Sequence, residues 1–70
     1  MDEQEFLEKL GQRIAELRKA KGMTQFEFAE KLDMQRTALT RIETGNVNTT
    51  ILTLKSICDL LDIDLCQLTI

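Results

Sequence analysis

Apolar residues recur at Phe6, Leu7, Leu10, Ile14 and Leu17. These spacings fall on one stripe of a helix, so the pattern predicts a first helix over 3–20. Acidic residues crowd its start, and Arg18, Lys19 and Lys21 its end, as the helix dipole favours. Gly22 suits the stop. Thr24 followed three residues on by Glu27 is a capping box, in which the hydroxyl accepts from the Glu27 amide and the carboxylate reaches back. Met23, just before the cap, is placed to staple against Phe28. A second helix is expected over about 25–32, with Phe28, Ala29 and Leu32 inward. Asp33-Met34 is a short break, and a third helix runs over about 35–44 until Gly45 ends it. After a polar loop, Thr50 caps a fourth helix that reaches about Leu61, with Ile51, Leu54, Ile57, Cys58 and Leu61 inward. Asp64 is placed to cap a last turn over 65–68. Alternation from Cys66 to Ile70 also fits a strand, so both readings stand for the tail. No internal repeat is evident.

Seventy residues make one small domain over 1–70, which buries only about 60% of the surface its unfolded chain exposes. There is no Pro and only three Gly, so few breakers interrupt the helical patterns and the fold class is all-α. The longest uncharged stretch, Thr44 to Leu54, is rich in Thr and Asn. It is unsuited to a membrane, and the N-terminus carries no signal-peptide pattern. The absence of His removes the usual general base and the commonest zinc ligand. Cys58 and Cys66 stand eight apart in no metal or redox motif, and read as reduced structural thiols of a cytosolic protein. With no nucleophile–base spacing and no glycine-rich phosphate loop, an enzyme is not expected, nor a cofactor or metal site.

Net charge is −3 and the isoelectric point about 4.8. Taken whole, that counts against a nucleic-acid partner. The distribution changes the picture. Residues 1–10 carry −3 and 47–70 carry −2, whereas 11–46 carry +2. The field near a surface decides partners more than the sum does, and this split implies acidic ends that face away from any nucleic acid. At about 100° per residue, Arg36, Thr40, Thr37 and Arg41 fall within an arc of about 140° on the third helix, and Ala38, Ile42 and Leu39 lie opposite. Arg can bond guanine O6 and N7 bidentately, Thr can offer a hydroxyl or meet a thymine methyl, and both can hold phosphate. An ordinary solvated helix face is the plainer reading of the same wheel. Two short helices crossing at small Ala29 form a helix-turn-helix over about 24–44, whose second helix is presented to the major groove.

Here the chain resembles a known family. Leu17-Arg18, Thr24-Gln25-x-x-Phe28-Ala29 and Arg41-Ile42-Glu43-x-Gly45 together resemble the Cro/CI-type (XRE) helix-turn-helix family, and the likeness extends from Ile14 to about Leu68. That family includes phage repressors, small bacterial regulators and antitoxins. The resemblance implies a compact, lambda-repressor-like bundle of four or five helices. It also implies that Gln35, Arg36, Thr37, Thr40 and Arg41 read bases. Thr24, Gln25, Asn46 and Asn48 would hold phosphate, with Arg13 and Lys19 as weaker phosphate candidates. Arg18 and Glu43 match the family's buried ion pair, which would make Arg18 structural; two unrelated surface charges are the alternative. Three positions depart from the pattern. Gln35 stands where a Ser or Thr cap is frequent, Thr49 where Pro is frequent, and Phe26 where a polar residue is usual. Phe26 either packs on its own helix or meets a partner.

Leu52 and Leu60 form a second stripe on the fourth helix, and Leu65, Leu68 and Ile70 extend it into the tail. Either the tail folds back over it or it forms a two-fold dimer interface, with a dimerisation region over about 50–70. Such a dimer sets two reading helices about 34 Å apart on a roughly palindromic operator in double-stranded DNA. The expectation is therefore a cytoplasmic, bacterial or phage-encoded homodimeric transcriptional regulator that represses. The alternative is a protein-binding module, an antitoxin or adaptor with a partner such as a toxin. No membrane partner is expected.

Overall fold

The computed structural model describes residues 1–69, with side-chain surroundings as far as Leu68. Five helices follow one another: α1 Glu3–Ala20, α2 Gln25–Lys31, α3 Arg36–Thr44, α4 Ile51–Leu61 and α5 Leu65–Thr69. Among the described residues there is no strand, so the tail takes the helical alternative. Ile70 lies outside the described residues.

Local chemistry starts these helices where the side chains can satisfy the unpaired amides. Asp2 accepts from the Glu5 amide at 2.7 Å, and Thr50 from the Thr53 amide at 3.2 Å. Thr24 and Glu27 complete a capping box in both directions, at 3.1 and 2.9 Å. Gln35 occupies the cap position of α3 without a side-chain hydrogen bond to the helix.

All five helices contribute to one core. Leu10 and Ile14 come from α1, Phe28 and Ala29 from α2, Leu39 and Ile42 from α3, Ile57, Cys58 and Leu61 from α4, and Leu68 from α5. Met23, Leu17, Leu32, Leu54 and Leu60 close its margin. α1 lies against α3 because Gly11 lets the two backbones approach. A Cβ at Gly11 would stand 2.6 Å from the Glu43 carbonyl oxygen. That glycine interrupts an otherwise helical run, which is the sequence signal for such an approach. Burial pushes the Cys58 thiol above its ordinary range, with Asp59 and Asp64 adding to the effect, so it stays protonated at neutral pH.

Several expected placements are corrected. Leu68 is only 1% exposed, because α5 folds back on α1 and α4 and seats this leucine in the chain's own core. It is therefore not available to a dimer. Ile51, expected inward, is 62% exposed, because it lies in the first turn of α4, ahead of the part that packs. Phe6 is largely exposed for the same reason at the start of α1, and Ala38 is exposed on α3. Among the described residues no helix is long and apolar enough to cross a membrane.

Candidate nucleic-acid interface

The turn between α2 and α3 holds the two helices at a fixed angle. The Met34 amide donates to the Ala29 carbonyl at 3.0 Å and the Asp33 amide to the Glu30 carbonyl at 3.1 Å, with Asp33 in the left-handed region at φ 57°. Ala29 is buried at the crossing, where a larger side chain would force the helices apart. α3 then buries Leu39, Ile42 and Glu43 and leaves Gln35, Arg36, Thr37, Thr40 and Arg41 exposed. One contiguous face of the second helix is thus rich in Arg and Thr.

Arg18 and Glu43 form a buried pair. Arg18 Nε donates to Glu43 Oε2 at 2.8 Å and Nη2 to Oε1 at 3.2 Å, and Nη1 donates to the Met23 carbonyl at 2.8 Å. This fork-to-fork geometry commits the guanidinium to the fold. Gln25 continues the network. Its Nε2 donates to Glu43 Oε1 at 3.0 Å, which turns its Oε1 toward Arg36, whose Nε lies 3.5 Å away. Sequence reasoning assigned Gln25 to phosphate alone and missed this link. Nothing in the periodicity signals it, because it depends on how the start of α2 meets the end of α3.

Thr40 Oγ1 donates to the Arg36 carbonyl at 3.0 Å, and Thr44 Oγ1 to the Thr40 carbonyl at 2.8 Å. Asn46 Nδ2 donates to Thr44 Oγ1 at 2.9 Å, which orients the first residue of the following loop. Asn48 is exposed in that loop. Arg41, Ala38 and Val47 share a shallow groove with Asn48 and Thr50 between α3 and the start of α4.

The flanking charges are less uniform than the sequence implied. Hydrogen bonds from Thr24 hold the Glu27 carboxyl below its usual 4.5, so it is ionised at neutral pH and already occupies the Thr24 amide. Thr24 Oγ1 also accepts from the Glu27 amide at 3.1 Å, so both polar groups of this residue are engaged in the cap. Lys19 is exposed in the last turn of α1. Arg13 donates to the Gln67 carbonyl at 3.5 Å, which brings it to α5 and not to α3. The acidic N-terminus lies close to the loop that follows α3. Gln4 Nε2 donates to the Gly45 carbonyl at 3.1 Å, and Asp2 and Glu3 border the same depression as Asn48. Leu52 is 73% exposed and Leu65 41%, while Leu60 is half-buried against the core.

Phe26 is 62% exposed and lies along an open depression with Glu30, Asp33, Met34 and Arg36. Among the described residues no three His, Cys, Asp or Glu gather in a way that could hold a metal ion.

A helix-turn-helix family model, HTH_3, matches residues 14–68. Among solved structures, the restriction-modification controller protein C.AhdI from Aeromonas hydrophila is similar at 34% identity. The match covers 89% of this chain and 94% of that one, with a TM-score of 0.83. The clp gene regulator ClgR from Corynebacterium glutamicum is similar at 27% identity over 90% of this chain and 67% of that one, with a TM-score of 0.85. The hypothetical transcription factor NHTF from Neisseria shares the fold, with a TM-score of 0.87 at 24% identity over 100% of this chain and 80% of that one. No curated protein sequence gives a significant match. The five-helix architecture and the family match over most of the chain agree: this protein belongs to the HTH_3 (XRE-type) helix-turn-helix family of DNA-binding transcriptional regulators.

Proposed function

We propose that the protein is a cytoplasmic repressor that binds a roughly palindromic operator as a homodimer, with α3 in the major groove. The observation that carries this reading is the exposed Arg36–Thr37–Thr40–Arg41 face on a helix whose opposite side is core. Gln35, Arg36, Thr37, Thr40 and Arg41 read base edges. Thr24, Gln25, Asn46 and Asn48 hold the backbone, with Lys19 beside them; Arg13 is the weakest member, since it is drawn toward α5. The nine residues of α3 span about 13 Å, close to four base pairs, which is too short a word to specify one site in a genome. The longest dimension of the chain is 31 Å, so a second copy is needed to reach an equivalent groove about 34 Å along the duplex. Exposed Leu52, Ile51 and Leu65, with Leu60 at their margin, supply the apolar surface for that pairing. Where such a dimer covers a polymerase site it excludes polymerase by occupancy, which is the repression proposed.

Selection of bound duplexes from a random pool at low salt tests all of this. We expect an enriched half-site, present twice about ten base pairs apart. Arg36→Ala or Arg41→Ala should relax one column by roughly 1–3 kcal/mol if that Arg pairs bidentately with guanine. Recovery of no enriched sequence would sink the reading, and enrichment of isolated half-sites would sink the dimer.

A second reading, a protein-binding module of the antitoxin or adaptor kind, rests on the exposed ring of Phe26 beside Glu30 and Asp33. It expects Phe26→Ser to lose a captured partner while operator binding persists. Absence of any partner in a pull-down from the source cell ends it.

A further inference from the structure

The fold sets the hydrogen-bonding polarity of Thr40. Its Oγ1 donates to the Arg36 carbonyl at 3.0 Å, one turn back along α3. A hydroxyl carries one proton and two lone pairs, so a proton committed to the helix leaves only acceptor character outside it. The tie is part of a chain running in one direction. Thr44 Oγ1 donates to the Thr40 carbonyl at 2.8 Å and itself accepts from Asn46 Nδ2 at 2.9 Å. Thr40 is exposed between Arg36 and Arg41, both of which offer donors only. The face therefore presents donors at its two arginines, and an acceptor with a methyl between them.

Base pairs differ in what they present to such a surface. In the major groove a G·C pair shows the guanine O6 and N7 acceptors and the cytosine amine. An A·T pair shows the adenine N6 amine, a donor, and the thymine C5 methyl. An oxygen without a proton to give repels O6 and N7 and can accept from either amine, adenine N6 or cytosine N4, but the methyl finds an apolar partner only on thymine, so A·T is the pair that satisfies both groups. We infer that Thr40 reads an A·T pair, its Oγ1 accepting from adenine N6 while its methyl packs on the thymine methyl. This rests on the proposed placement of α3 in the major groove. Four residues of helix advance about 6 Å, so the A·T column lies within about two base pairs of the column read by Arg36.

The test compares duplexes selected by the wild type, Thr40→Val, Thr40→Ser and Arg36→Ala, followed by titration of the wild-type duplex with uracil in place of thymine at the altered column. The wild type should select A·T there, within two base pairs of the column that Arg36→Ala relaxes. Thr40→Val keeps the shape and loses the acceptor, and should weaken that preference by about three- to tenfold with other columns unchanged. Thr40→Ser keeps the acceptor and loses the methyl, so uracil should weaken the wild type and not this variant. A G·C pair in that column, or an unchanged profile in Thr40→Val, overturns the inference. If the wild type enriches nothing, base reading by α3 falls and this falls with it. If Arg36→Ala alters a column and Thr40→Val alters none, only the role of Thr40 falls.

Discussion

The carboxylate of Glu43 takes two hydrogen bonds from Arg18 on α1 and one from Gln25 on α2, so a single side chain on α3 ties three helices together. Both members of the ion pair are nearly solvent-free, with side-chain exposures of 7% and 5%. A buried pair is costly to break from one side, because the survivor keeps its desolvation penalty without its partner. Arg18→Met and Glu43→Gln should therefore each lose about 3–5 kcal/mol. A domain of this length has roughly 4–10 kcal/mol in total, so each single variant should be largely unfolded when warm. Replacing both with apolar residues should cost less than the two singles added together, which urea titration of the three variants measures. Near-wild-type midpoints for both singles would show that the pair contributes little. The pairing was legible from the family likeness. The part played by Gln25 was not, because a polar residue in the first turn of a helix reads as solvent-facing until the neighbouring helix is in place.

At the scale of elements, four of the helices end in the same way. One or two residues after the helix the backbone turns left-handed, and the next amide reaches back five residues: Met23 to Arg18, Met34 to Ala29, Asn46 to Arg41 and Ile63 to Cys58. The left-handed position is Gly22 after α1 and Gly45 after α3, but Asp33 after α2 and Asp62 after α4, at φ 57° and 59°. Gly45 is doubly required, since a Cβ there would also stand 2.7 Å from the Glu8 Cα. Glycine announces such a turn in a sequence, and aspartate does not. That is why the stop after α3 was plain, whereas the kinship of the α2–α3 and α4–α5 turns escaped notice. The aspartates carry a Cβ where the backbone disfavours one, so Asp33→Gly and Asp62→Gly should each stabilise the fold by about 1 kcal/mol. In a domain this small that raises the melting midpoint by about 4–8 °C. A lower midpoint in either variant would mean that the carboxylate makes a compensating local interaction. Periodicity also told which face of α1 and α4 turns inward, but not where along each helix the core ends. Phe6 and Ile51 continue their stripes past the last packed neighbour and emerge into solvent.

For the whole molecule, the question is how a chain of net charge −3 approaches a polyanion. The positive charge gathered in 11–46 includes Arg18, which is spent inside, and Arg13, which is drawn to α5. Attraction to the duplex therefore falls mainly to Arg36, Arg41 and the lysines near α2. Opposing them, Asp2 and Glu3 stand beside Asn48, at the edge of the proposed phosphate contacts. Charges this close to the backbone act within a screening length of about 10 Å at 0.1 M salt and should hold sequence-independent affinity down. A double variant, Asp2→Asn with Glu3→Gln, keeps a competent cap on α1 and removes both charges. It should bind non-cognate duplex several-fold more tightly at low salt. The gain should shrink as salt rises, and the selected half-site should stay the same, because neither residue lies on α3. Fluorescence anisotropy across a salt series reads this directly. Equal affinities for wild type and variant at the lowest salt would mean that the first turn of α1 sits too far from the duplex to matter.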